Sequence, residues 1–198
     1  MPSPNIVKKY IEGGIYHVYN RGVNKQEIFF DAEDYITFLR LFNNYLKTPT
    51  NGSLCQKTKN FHGKIKLLVF SLIPNHPHLI LQQLGKHDMD DFMHSLMTSY
   101  SLRVNKRHER VGHLFQDTYK ARIIENDYDL INTSFYVHNN PQKELAQDQF
   151  KYPYSSISSY TGEGIYKFDF VDERVIMSLF DSYHAYIEGL KNYKAVER

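Results

Sequence analysis

The chain has 198 residues, 41% of them hydrophobic, a formal net charge of +2 and one cysteine, Cys55. That is enough for one substantial core. It excludes an internal disulfide and a four-cysteine zinc site, and it points to a reducing cytoplasm. No apolar run approaches the ~18 residues of a membrane span, and the N-terminal stretch lacks the apolar core of a secretory leader.

In chain order, Ile15 to Tyr19 alternates and predicts a strand, broken by Asn20, Arg21 and Gly22. Asp31 is placed to cap a helix over 32–47, in which Tyr35, Phe38, Leu39, Phe42 and Leu46 recur at helical spacing. A polar, turn-rich loop follows from Thr48 to Gly63. Lys64 to Leu72 and residues 76–83 (HPHLILQQ) flank Pro74-Asn75 and predict a β-hairpin. Asp88 is a candidate N-cap for a helix reaching Lys106. Asp117 to Ile124 reads as a strand, and Asn126 caps a helix that Pro141 is expected to stop near Asn139. A last helix is expected from Asp172 to Tyr193, where Val175, Leu179, Tyr183 and Ile187 recur every fourth residue.

The order β-α-β-β-α-β-α predicts an α+β fold. It resembles a ferredoxin-like split βαβ antiparallel sheet with helices on one face, here with a C-terminal helical extension. The expected division is a catalytic domain over 1–142 and an extension over 143–198 packed on it.

Two features could carry chemistry. His76-Pro77-His78 on a strand puts both imidazoles on one face, about 7 Å apart at Cα, so they can converge on one divalent ion. Alone, such a pair is a weak signal in a chain with 10 histidines. Tyr136 lies off the apolar stripe of Leu130, Ile131, Phe135 and His138. It shares a polar face with Asn132, Thr133 and Asn140. Basic residues also cluster from Arg103 to Arg122, as phosphate binding requires, although for the charge alone a solvated helix end and loop is the better reading.

Taken together, the blocks resemble the HUH transposases of the insertion-sequence-200 type, and most closely the REP-associated tyrosine transposase branch. The matching residues are Pro74, Asn75, His76 and His78 in the hairpin, and Tyr136, Val137, Asn140 and Pro141 in the late helix. YHVYNRG (16–22), GHLFQDTYKARII (112–124) and YPYSSISSY (152–160) are similar to further family blocks. The resemblance covers about residues 10–185. It departs at Pro77, where the family carries a bulky hydrophobe; Pro77 is expected to point away from the metal.

The resemblance implies a metal-dependent transposase that nicks and rejoins single-stranded or hairpin DNA through a 5′-phosphotyrosine. Tyr136 would be the nucleophile. His76, His78 and Asn140 would hold Mg²⁺ or Mn²⁺, and Arg21, Lys25, Arg103, Lys106, Arg107, Lys120 and Arg122 are candidate DNA contacts. It further implies a homodimer and a cytoplasmic, nucleoid-associated protein. The alternatives are a non-catalytic, domesticated nucleic-acid-binding protein of the same fold, and a metal-dependent hydrolase using Asp88, Asp90 or Asp91.

Overall fold

The computed structural model describes residues 10–49, 59–161 and 167–193; Cys55 and much of the 48–63 loop lie outside them. The elements are β1 (Ile15–Tyr19), α1 (Ala32–Leu46), β2 (Ile65–Ile73), β3 (His76–Gln83), α2 (Asp88–Arg107), β4 (Lys120–Ile123), α3 (Asp127–Leu145), α4 (Arg174–Met177) and α5 (Tyr183–Lys191). The strands form one antiparallel sheet in the order β2-β3-β1-β4. This is the predicted α+β, split βαβ arrangement.

Directly paired residues share a face of a sheet. On one face Tyr16 and Val18 of β1 lie beside Leu79 and Leu81 of β3 and Phe70 of β2. All of these are buried, and α1 and α2 pack against them. Phe42 of α1 meets Phe70 with ring centroids 5.7 Å apart, and Phe38 meets Tyr100 of α2 at 4.8 Å. The other face is polar along its middle. There His17 pairs with Ile80 and Arg122, Tyr19 with His78 and Lys120, and His78 with Ser71. The helix α3 lies over this second face.

Helix starts follow the capping residues. Asp31 accepts from the backbone N–H of Glu33 and Asp34, and Asn126 accepts from that of Asp129. Two expectations are corrected. Pro141 does not end α3: the helix runs on to Leu145 and closes at Ala146 in the left-handed region, φ 52°. Proline removes only one helical N–H, and burial of Val137, His138, Asn140 and Pro141 holds the helix together across it. The expected boundary at 142/143 thus falls within α3. The expected long C-terminal helix is two short ones, because Ser182 starts a new helix by accepting from the Ala185 N–H. The residues that bury are Ile176, Tyr186 and Leu190, not the four-residue stripe.

The segment after α3 seals the outer edge of β2. Leu72 N–H donates to the Tyr154 carbonyl (2.9 Å), Ser71 bridges Ser155, and Asp172 N–H donates to Leu67 (2.8 Å). A buried chain of hydrogen bonds ties the same segment to α3. His138 bonds Ser156 Oγ and the Tyr186 hydroxyl, each at 2.8 Å, and Tyr186 donates to Ser134 Oγ at 3.1 Å.

Candidate active site

The hairpin turn is strapped in place before its histidines begin. Pro74 carbonyl accepts from the Ile28 and Phe29 amides, and Asn75 carbonyl accepts from Gly22 N–H at 2.9 Å. Gly22 must be glycine here, since a Cβ would lie 2.1 Å from the Gln26 carbonyl. The Asn75 side chain donates to Lys25 carbonyl and also contacts Nδ1 of His76.

His76 and His78 then project from one face of β3, with ring centroids 4.7 Å apart and planes at 77°. Both are buried. Pro77 pairs with Leu72 and so belongs to the opposite, helix-covered face. Leu72 directs its N–H outward to Tyr154, so the Leu72–Pro77 pair is a non-hydrogen-bonded one. On its other side β3 meets β1 only from His78 onward. The missing proline N–H therefore breaks no ladder bond.

α3 brings Tyr136 to these rings. Its centroid lies 5.6 Å from that of His78, at 90°, and 5.9 Å from that of His17. Asn140 follows one turn later, on the same side of the helix as Tyr136. It is buried, and neither its Oδ1 nor its Nδ2 has a hydrogen-bond partner among the described residues; the same is true of His78 Nε2. Buried polar atoms left unpartnered are rare in folded proteins and call for an occupant. Two imidazole nitrogens and an amide oxygen form a donor set suited to a small divalent ion that keeps open positions for phosphate. The chemistry of these residues therefore fits a divalent ion.

The electrostatics favour neutral rings, which ligation requires. Burial, with Arg21 second, pushes His76 down to about 4. Burial pushes His78 well below the usual histidine value, and the neighbouring His17, His76, Arg21 and Lys143 add to it. Burial, together with the charge of Glu144, raises the Tyr136 phenol, so it rests protonated.

Among the expected DNA contacts, Arg21 is exposed and its charge is felt at His76, His78 and Tyr136. Lys25 is exposed beside the hairpin turn. Lys120 sits 6.0 Å from the centroid of the Tyr19 ring. Arg103 and Lys106 are exposed on α2, which packs with α1 on the other side of the sheet. Two guanidiniums are engaged internally. Arg122 grips Asp129 (2.7 and 3.0 Å) and Thr133 (2.8 Å), and Arg107 grips Asp31 and Asp34.

Asp31, Asp34 and His108 bring three potential metal-ligand atoms within 4.8 Å of one another. Their oxygens are already engaged: Asp34 accepts from Phe30 N–H, His108 and Arg107, and Asp31 accepts from the α1 amides and Arg107. The cluster clasps the start of α1 to the end of α2.

Sequence reasoning passed over His17, Tyr19, Lys143 and Glu144. His17 Nε2 shares a 2.9 Å hydrogen bond with His78 Nδ1, Tyr19 stacks on His78 at 5.8 Å, and Lys143 Nζ lies 5.8 Å from the Tyr136 centroid. The signal for the first two was the His-x-Tyr spacing on β1, which puts both on one face.

The family model described as "Transposase IS200 like" matches residues 40–140, which span His76, His78, Tyr136 and Asn140. No curated protein matches the sequence. The fold is similar to the structure of a REP-associated tyrosine transposase bound to a REP hairpin, with a TM-score of 0.60 and 14% identity, covering 84% of this chain and 90% of that one. A crystal structure of a candidate transposase from Deinococcus radiodurans R1 aligns over 67% of this chain and 95% of its own, with a TM-score of 0.40 and 17% identity. With about half of its length matched, including the hairpin histidines and the tyrosine helix, the chain belongs to the IS200-like transposase family and is a transposase of the HUH type.

Proposed function

We propose that this chain cuts and rejoins single-stranded or hairpin DNA, with Tyr136 as nucleophile and with His76, His78 and Asn140 holding Mg²⁺ or Mn²⁺. The observation that carries the reading is the approach of Tyr136 to His78, whose buried Nε2 has no partner among the described residues. A bound divalent ion would supply Lewis acidity to the scissile phosphate and offset charge that develops on it.

The chain's own residues supply the rest. The Tyr136 oxygen attacks phosphorus; an Oη–P bond forms and the P–O3′ bond breaks. The phenol proton leaves as attack proceeds, and the departing 3′ oxygen ends as a hydroxyl. The DNA 5′ end stays on the tyrosine as a phosphodiester, so a second 3′ hydroxyl can reverse the exchange without ATP. Arg21, Lys120 and Lys143 lie about the tyrosine face and, with Lys25 at the hairpin turn, are assigned to the DNA backbone. The hairpin seen with the REP-associated transposase supports a structured single strand as substrate. Such a protein would act at the nucleoid.

The test is incubation with hairpin-bearing single-stranded oligonucleotides and Mn²⁺, followed by a denaturing gel. A covalent protein–DNA band is expected from the native chain and none from Tyr136→Phe. An undiminished band from Tyr136→Phe would overturn the assignment.

A further inference from the structure

We propose that His17 is a positioning residue for the metal site: it accepts the Nδ1 proton of His78 and thereby commits the Nε2 lone pair of His78 to the ion. The inference rests on the metal reading above and extends it to a residue of β1 that is not itself a ligand.

The geometry leaves one workable arrangement. His17 Nε2 and His78 Nδ1 lie 2.9 Å apart. Their ring planes are within 17° of parallel, with centroids 5.2 Å apart. A neutral imidazole carries one proton, on Nδ1 or on Nε2. If His78 is to ligate through Nε2, that nitrogen must carry the lone pair and Nδ1 the proton. His78 then donates and His17 accepts at Nε2. The unpartnered, buried state of His78 Nε2 is what this tautomer presents to a cation. In the opposite tautomer a buried N–H would face no acceptor, which folding disfavours.

His17 is also held firmly enough to act. It sits in β1, which is flanked on both sides by β3 and β4. Its ring lies against Tyr19 at 5.2 Å, tilted by 31°, and meets Tyr136 edge to face at 5.9 Å. Across the strand it pairs with Arg122, whose guanidinium is fixed by Asp129 and Thr133. His76 has a separate orienting contact, with Asn75. Each imidazole of the pair thus has its own acceptor, one local and one from the neighbouring strand. Outer partners of this kind fix ring orientation and raise ligand basicity.

The test is Mn²⁺ affinity of the DNA-free protein, by titration with electron paramagnetic resonance, for the native chain, His17→Phe, His17→Gln and His78→Ala. His17→Phe keeps a ring but offers no acceptor, and is expected to weaken Mn²⁺ binding by about 10–100-fold. His17→Gln restores an acceptor oxygen and is expected to recover most of the loss. Native affinity in His17→Phe would overturn the proposal, as would equal loss in both variants, which would assign His17 to packing. Retention of Mn²⁺ by His78→Ala would overturn the metal site itself, and His17's role with it. Nitrogen-15 NMR of the metal-free native protein reads the tautomer without any substitution. A proton on Nδ1 of His78 is expected; a proton on Nε2 would overturn the inference.

Discussion

Tyr136 meets His78 edge-on, with ring planes at 90° and centroids 5.6 Å apart, so a helix and a hairpin distant in sequence meet side chain to side chain. The Tyr136 hydroxyl makes no hydrogen bond among the described residues. Tyr136→Phe should therefore change stability by less than about 0.5 kcal/mol. Urea unfolding of the variant checks this alongside loss of the covalent band, and a large destabilisation would show that the phenol also holds the fold.

As a proposed ligand, Asn140 should set stability against metal binding. Its buried amide is unpartnered among the described residues, so it gains nothing from hydrogen bonding in the metal-free fold. Asn140→Leu should leave the thermal midpoint unchanged or higher, while lowering Mn²⁺ affinity by at least about 10-fold. A fall in midpoint together with native Mn²⁺ binding would contradict both halves.

The grip of Arg122 on Asp129 and Thr133 anchors the start of α3 to β4. Arg122→Ala should cost about 2 kcal/mol, in the range of hydrogen bonds to charged groups. The pH dependence follows from Asp129. Burial pushes its carboxyl up, but the hydrogen bonds and charge of Arg122 outweigh this and hold it below the ordinary value. A lowered folded value means that the unfolded chain takes up the proton first. The contribution is thus whole above about pH 4 and lost as pH falls below it. Unfolding measured at pH 7 and pH 3 should show the gap between native and Arg122→Ala narrowing in acid; a constant gap would remove Asp129 from the account.

Pro77 tests the reading of the motif. Because its side chain belongs to the α1–α2 face and its nitrogen faces no ladder partner, Pro77→Val should leave Mn²⁺ affinity unchanged. A changed affinity would mean that the proline sets the angle between the two imidazoles.

Tyr186→Phe probes the buried chain joining α3 to the C-terminal segment. It removes the hydroxyl shared by His138 and Ser134 and should cost about 1–3 kcal/mol in urea. A neutral result would show that the chain adds nothing net.

These residues also show what the sequence could and could not reveal. That His76 and His78 share one face was legible from a strand's period of two; their candidacy as ligands came from the family resemblance. Tyr136 departs from the apolar stripe of its helix, but among 16 tyrosines it was the family resemblance that singled it out as a candidate. His17 was not, since a histidine inside an alternating strand looks like any half-buried residue until the neighbouring strand and its register are known. Arg107 and Arg122 looked like free cations because their carboxylate partners come from other elements, or from beyond a turn. The break at Ser182 was hidden by a spacing that continued across it, and Pro141 was misjudged because a breaker's cost can be offset by burial that only the tertiary structure supplies.

The covering of β2 by residues 154–156 and 171–172 closes that edge of the sheet to a further strand. Among the described residues its other border is β4, four residues long. A strand from outside would therefore have to pair along β4, over four residues at most.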